Sequence, residues 1–297
     1  MRLPIASLGL LMAVGACTTV VTPPERPQRP PVTGEGAGYE HSIAKSRFDV
    51  GAGRHREIEG PYERVVGDRG AFMLDTITGA TLAVPGRAAP IPKGAAALVF
   101  PRAMTENPDE HSAAVRAYLV GAGIPERQIG GMHVTTTMAG GGPVKEGVQS
   151  VRSRLLWYTS HLERVVGGVP VEGSFAFAAF DSNRTVISEG VYWPGIPEDV
   201  VRRAREFKQR VESGNERGAF LARVRSAEPE LKEERGEVRV VHTSAGHHGG
   251  FEARPLYTVV QPSPNGGKAR ILRFDENGAV VTMPDERPTG SDSEKRQ

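Results

Sequence analysis

The sequence predicts an α+β fold, with helices packed on a curved antiparallel sheet in two or three helix-plus-hairpin units. Two observations support this prediction. Segments whose apolar residues recur at helical spacing alternate along the chain with short apolar runs joined by polar turns. Three of these turns share one form, in which an aspartate follows an apolar residue and begins a short polar turn; the aspartates are Asp75, Asp181 and Asp275. Asp, Asn and Gly favour hairpin turns because they tolerate positive φ or bond to their own backbone.

The N-terminus has the pattern of a secretory signal. One basic residue, Arg2, precedes an apolar run over residues 3–16, and the only cysteine of the chain, Cys17, follows directly. The run is shorter than the roughly 20 residues that a membrane-spanning helix needs. A single cysteine cannot form an internal disulfide, so we expect Cys17 to have another role.

Residues 14–17, V-G-A-C, resemble the lipobox of bacterial lipoproteins. The resemblance implies that residues 1–16 are a signal peptide and that Cys17 begins the mature chain and carries the covalent lipid of a membrane anchor. Because Thr18 rather than Asp follows, it also implies sorting to the outer membrane, facing the periplasm. Two alternatives stay open: an uncleaved signal anchor, and an ordinary signal peptide with a cysteine near its cleavage site.

Composition predicts the domain organisation. Residues 17–45 are rich in Pro and Gly and predict an extended tether, and residues 287–297 predict a polar, disordered tail. Between them we expect an α+β part over residues 46–195, and a helical pair with antiparallel hairpins over residues 196–286. The net charge is +2 with no basic stripe, which argues against binding to nucleic acid.

Three helices are predicted. The first has Asn107 as its N-cap and Pro108 in the first helical position. The second begins after Ile196 and has one apolar stripe opposite a charged face; the stripe consists of Val200, Val201, Ala204, Phe207 and Val211. The third is expected over residues 216–227.

The middle hairpin supplies candidate binding residues. Alternation predicts that its apolar residues share one sheet face; they are Val169, Val171, Phe175, Phe177 and Ala179. Pro170 favours an edge strand or the start of a strand, and an edge strand can accept a strand from a partner. A neighbouring helix that covers this edge is the alternative. The candidate partner-binding residues are Val169, Val171, Ser174 and Trp193.

Residues 158–194, which contain G-V-P-V-E-G-S, resemble a segment of PepSY-type and thermolysin-propeptide-like domains. The resemblance implies an α+β fold and a non-enzymatic role, since such domains inhibit or help to fold secreted peptidases, or occur alone in cell-envelope proteins. The chain departs from the propeptide arrangement because no peptidase body follows, and it has neither an H-E-x-x-H nor a G-x-S-x-G motif. An inhibitor that acts on a separate peptidase remains compatible with the sequence.

One local cluster could bind a metal ion. Its residues are His242, His247, His248 and Glu252, and imidazole and carboxylate groups of this kind are ligands of zinc. The spacing matches no known ligand motif, and the glycines between these residues also fit a solvated loop.

The sequence therefore predicts a lipid-anchored, non-catalytic cell-envelope protein that binds a protein partner or secreted peptidase and needs no cofactor besides its lipid. The alternative is a metal-binding protein or metal-dependent hydrolase that uses the segment from His242 to Glu252. A purely structural envelope component is a third hypothesis, which the sequence does not separate from the first.

Overall fold

The computed structural model describes residues 41–85, 102–141, 151–213, 216–231, 235–244, 251–262 and 269–283, all within one compact unit. Cys17, the predicted signal peptide, most of the predicted tether and the predicted tail lie outside the described residues, as do His247 and His248. The described end of the predicted tether, residues 41–45, is not extended away from the body, because Ser42 and Ala44 are buried in it.

The described residues form three α-helices and twelve strands. The predicted α+β class is therefore confirmed, and more residues lie in strands than in helices. The helices are α1 (Pro108–Gly121), α2 (Glu198–Ser213) and α3 (Glu216–Ala227). The strands are β1 (His55–Glu59), β2 (Tyr62–Val66), β3 (Gly70–Asp75), β4 (Thr81–Pro85), β5 (Ile129–Gly141), β6 (Val151–Val166), β7 (Val169–Glu172), β8 (Phe175–Phe180), β9 (Val186–Tyr192), β10 (Gly236–Ser244), β11 (Phe251–Gln261) and β12 (Arg270–Phe274).

The strands form one mixed sheet in the order β1-β2-β3-β4-β9-β8-β6-β7-β10-β11-β12. Neighbours are antiparallel except β7 and β10, which are parallel, so the sheet is not purely antiparallel as predicted. Strand β5 lies outside this order and pairs with β6. Ser160 of β6 is paired with Val134 of β5 and with Ala178 of β8, so β5 and β8 flank β6 on opposite sides.

Helix α1 packs on the part of the sheet that contains β6, β8 and β9. The Asn107 side chain accepts hydrogen bonds from the backbone N–H groups of Asp109 and Glu110, which confirms the predicted N-cap. Val115 and Leu119 are fully buried on the inner face of the helix. The first core cluster consists of Ala44, Val115, Leu119, Ile124, Leu162, Ala176, Ala178, Phe180, Val191 and Trp193.

Helices α2 and α3 pack on β7, β10, β11 and β12 and form the second core cluster. The predicted stripe of α2 faces this core: Val200, Ala204, Phe207 and Val211 are buried, and Val201 packs against them partly exposed. Phe207 meets Phe220 of α3 edge to face at 5.4 Å, and Phe220 meets Tyr257 of β11 at 5.2 Å. Edge-to-face pairs of this kind add to the stability gained from burial.

The three aspartate turns have similar hydrogen bonding, with bonds to the second and third residues after Asp75 and to the second and fourth residues after Asp181 and Asp275. In each turn, the Oδ1 atom of the aspartate accepts hydrogen bonds from two backbone N–H groups of that turn. The aspartates therefore substitute for backbone acceptors, as the sequence predicted. The first two turns join β3 to β4 and β8 to β9, and the third follows β12.

The predicted alternation through the middle hairpin is wrong because the segment bends between β7 and β8. Gly173 lies at the bend with φ +85°, a conformation that side-chain-bearing residues rarely adopt. The bend reverses which residues face inward, so Val169 and Val171 belong to the second core cluster and Ala176 and Ala178 to the first. Phe175 and Phe177 lie on the opposite face of β8, where Phe175 is 40% exposed.

Candidate functional site

Strand β7, which contains two of the predicted binding residues, is internal. It pairs with β6 on one side and with β10 on the other. Pro170 is therefore near the start of an internal strand and not on an edge, so the edge interpretation of this segment is wrong. Val169 and Trp193 are fully buried and Val171 is nearly so. This placement does not support contact of these side chains with a partner.

Ser174, the fourth predicted binding residue, belongs to a buried polar cluster centred on Arg164. The Arg164 Nη1 donates to Ser174 Oγ at 2.9 Å, and its Nε and Nη2 donate to Gln128 Oε1 at 3.2 and 2.9 Å. The Trp193 Nε1 donates to the same oxygen at 2.9 Å, and the guanidinium lies 4.8 Å from the centroid of the Trp193 ring. The cluster therefore joins β6, the 3-10 turn Glu126–Gln128, the end of β9 and the β7–β8 bend.

His242 completes this cluster from β10. Its Nε2 lies 3.2 Å from Ser174 Oγ, and among the described residues its buried Nδ1 has no hydrogen-bond partner. Burial, together with the positive charge of Arg164, lowers the pKa of His242 to about 4. Burial also lowers the pKa of Arg164 to about 9. At neutral pH His242 is therefore neutral, and the polar contacts described for Arg164 are with uncharged groups.

The structure does not bring His242 and Glu252 together. In the β10–β11 pair, His242 is opposite Ala253 and Thr243 is opposite Glu252, so the side chains of His242 and Glu252 leave opposite faces of the sheet. His242 is buried, whereas Glu252 is exposed beside Arg254. Within the described ranges, no group of three or more His, Cys, Asp and Glu residues is arranged to hold a metal ion.

Glu252 instead lines an open cleft of about 440 Å³ between α2 and the strands β11 and β12. The charges that line the cleft compensate one another. Glu276 binds Arg203 at 3.2 Å and Arg210 at 2.9 Å, and Glu252 binds Arg254. Asp275, which also lines the cleft, accepts hydrogen bonds from the backbone of its own turn.

A buried Ser–His pair, which sequence reasoning missed, lies between α1 and β6. His111 Nδ1 is 2.7 Å from Ser160 Oγ, and both side chains are fully buried. The backbone N–H of Phe180 donates to His111 Nε2 at 3.3 Å, so Nδ1 carries the proton and donates to the serine. To act as a general base, His111 would need an unprotonated Nδ1 that could accept the proton of the serine hydroxyl. The pair is therefore a structural link, and its residues are too far apart in the sequence to form a local motif.

A second buried polar pair connects α1 with β9. Glu189 is fully buried, and its Oε2 accepts hydrogen bonds from the Tyr118 hydroxyl at 2.9 Å and from Ser46 Oγ at 3.2 Å. Burial raises the pKa of Glu189, opposed by these hydrogen bonds and by the nearby Arg47. No alternation or spacing in the sequence predicts this pair, because its two residues belong to different elements.

The surface offers one long strand edge. In the described part of the chain, β5 pairs only with β6, so its outer backbone groups face away from the sheet. The strand contains no Lys, Arg, Asp, Glu or Pro, and Met138 on it is 49% exposed. Edge strands of this kind can pair with another chain.

Comparisons with known proteins do not add a family to these features. No protein-family model matches the chain, and no curated protein matches its sequence. Of the helices in the described ranges, none is both long and apolar enough to span a membrane.

Proposed function

We propose that the chain is a lipid-anchored, non-catalytic lipoprotein of a bacterial cell envelope, sorted to the outer membrane, whose body binds a protein partner. The observation that carries the proposal is the V-G-A-C sequence that ends at Cys17, directly after an apolar run too short to span a membrane. Two or three acyl chains on one cysteine suffice for stable anchoring.

Three features of the body support a binding role over catalysis. The His111–Ser160 pair has the wrong hydrogen-bond polarity for a nucleophile and its base. His242 is buried and neutral beside Arg164. At the open cleft, Glu276 is paired with Arg203 and Arg210, and Glu252 with Arg254. We also propose that the body consists of two helix-plus-sheet units, one around α1 and one around α2 and α3, each with its own core cluster.

The partner, which we take to be an envelope protein or secreted peptidase, would add an extended segment to β5. The other two edges are less suited to this contact. Strand β1 carries His55, Arg56, Glu57 and Glu59, and charged side chains on an edge discourage pairing. Strand β12 already pairs along part of its edge, since Val281 N donates to Arg273 O at 2.8 Å.

The anchor is tested by metabolic labelling with radioactive palmitate in cells that express the wild-type chain or Cys17→Ser. We expect label in the wild-type protein and none in the variant, which should also leave the membrane fraction. Equal labelling of both proteins would contradict the anchor.

The binding role is tested by pull-down from envelope extracts with variants of each edge. Thr136→Lys/Met138→Lys places two charges on β5, and Ile58→Lys/Ile271→Lys places two on β1 and β12 as a matched control at exposed positions. We expect one stoichiometric partner with the wild type and the control, and its loss with the β5 variant. Thermal unfolding verifies that each bait is folded. A partner that binds all three baits equally would exclude the β5 edge, and a folded wild-type bait that recovers nothing would contradict partner binding.

A further inference from the structure

Two histidines face each other across the β5–β6 hairpin. His133 of β5 and His161 of β6 are directly paired in the register. Their rings are parallel within 1°, with centroids 4.6 Å apart. Directly opposed residues of antiparallel strands have Cβ atoms about 4.5–5.5 Å apart, which lets two imidazoles reach one ion. They project from the sheet face opposite α1, because their neighbours Ser160 and Leu162 face the helix side.

Each ring has a polar neighbour at one of its two nitrogens. His133 Nδ1 is 3.7 Å from a carboxylate oxygen of Glu163. That carboxylate lies above Gly131, where a Cβ atom would be only 2.7 Å from Glu163 Oε2, so the glycine leaves room for it. His161 Nε2 is 3.3 Å from the Thr135 hydroxyl. In metal sites, the second nitrogen of a ligating histidine is commonly hydrogen-bonded, and Glu163 and Thr135 are the polar groups near that nitrogen here.

From this arrangement we propose that His133 and His161 form a two-histidine chelate for a divalent transition-metal ion. His133 Nε2 and His161 Nδ1 are the ligand atoms, and water fills the remaining coordination positions. The rings turn from their parallel stack to direct both nitrogens at the ion. Imidazole pairs suit Zn²⁺, Ni²⁺ and Cu²⁺, and affinity should increase from Zn²⁺ or Ni²⁺ to Cu²⁺.

The His161 ring lies between the His133 ring and the Phe177 ring, whose centroid is 5.1 Å away. The site is distinct from the segment of His242 to Glu252, and the proposal does not depend on the proposed function.

Isothermal titration of the metal-free full-length chain with Zn²⁺, Ni²⁺ and Cu²⁺ tests the proposal. The chain carries Cys17→Ser so that no thiol competes for the metal. We expect one ion per chain in the parent protein and loss of this binding in His133→Asn and in His161→Asn. The matched control is His55→Asn, because His55 also lies beside a carboxylate, Glu57 at 3.1 Å, but its cross-strand neighbour is Val66. This control should bind as the parent does.

A second variant separates the proposed site from other histidines. His247→Asn/His248→Asn removes the adjacent pair in the sequence and should leave the one-to-one binding unchanged. Binding that is lost in this variant and kept in His133→Asn would overturn the proposal, as would a parent protein that binds none of the three ions. His133 is exposed, so its substitution is expected to leave the fold intact even where His161→Asn does not. Copper-induced broadening of the His133 and His161 ring signals in NMR spectra provides a second measurement that does not depend on the heat of binding.

Discussion

Replacement of Tyr118 by phenylalanine is expected to destabilise the protein more at high pH than at low pH. The substitution deletes only the hydroxyl that donates to Glu189 Oε2 at 2.9 Å, while the ring contacts with Phe180 and the Arg47 guanidinium remain. A hydrogen bond to a charged group contributes about 1.5–3 kcal/mol and a neutral one about 1 kcal/mol. We therefore expect the free energy of unfolding to decrease by about 1.5–3 kcal/mol where Glu189 is ionised, and by about 1 kcal/mol where it is protonated.

The direction of the pH dependence follows from the pKa of Glu189. Burial raises this pKa above its ordinary value of 4.5, so the folded protein holds the proton more tightly than the unfolded chain. The resulting contribution to stability is fully present below pH 4.5 and is lost as the pH rises through the folded-state pKa. Loss of the Tyr118 donor raises the folded-state pKa further, so the decline should extend to higher pH in the variant.

Urea unfolding followed by circular dichroism between acid and mildly alkaline pH measures both effects. The double-mutant cycle of Tyr118→Phe and Glu189→Gln isolates their interaction from all other titrating groups. In the Glu189→Gln background, Tyr118→Phe should decrease the free energy of unfolding by the same modest amount at every pH. An equal loss at both ends of the pH range in the wild-type background would refute the reasoning, because it would mean that Glu189 does not change its charge state in the folded protein.

Three further outcomes are expected. Phe220→Ala should decrease the free energy of unfolding by about 3–5 kcal/mol in urea titrations, because the side chain is fully buried in the second core cluster. Gly67→Ala should decrease the free energy of unfolding by about 1–3 kcal/mol, because the new Cβ atom would lie 2.2 Å from the Val50 carbonyl oxygen. Gly218→Ala in α3 is the matched case, because its Cβ atom would meet no atom within 4 Å. This variant should increase the free energy of unfolding by about 0.5–1 kcal/mol. In ¹⁵N NMR spectra at neutral pH, His111 should be neutral with its proton on Nδ1; a proton on Nε2 would contradict its assignment as a structural donor.

The features that the sequence predicted well depend on residues close together in the chain. Asn107 and Pro108 define the start of α1 because capping is decided within one helical turn. The range 216–227 predicted for α3 also agrees with the structure. The aspartate turns at Asp75, Asp181 and Asp275 were predictable because their hydrogen bonds stay within the turn.

The features that failed depend on distant neighbours. Pro170 fits an edge strand or a strand start equally well, and only the parallel pairing of β7 with β10 decides between them. The alternation from Val169 to Ala179 suggests one face, but the bend at Gly173 divides it between two cores. His242 and Glu252 are close in sequence, yet their places in the β10–β11 register direct them to opposite faces. Which strands lie side by side, and where the chain bends between them, is decided by contacts between residues that are far apart in the sequence.

The buried cluster around Arg164 is a poor site for a ligand because its hydrogen bonds are already made within the protein. Arg164 as a whole is 3% exposed, and Gln128 and Ser174 together accept three hydrogen bonds from its guanidinium. At the adjacent bend, a Cβ atom on Gly173 would lie 3.1 Å from the Cβ of His242, so backbone and side chain pack closely there. To admit a ligand, the cluster would have to give up these hydrogen bonds and leave a buried cation without them, which costs several kcal/mol. The cluster therefore links β6, β8, β9 and β10 in the interior, whereas His133 is exposed and β5 pairs only with β6 in the described part of the chain.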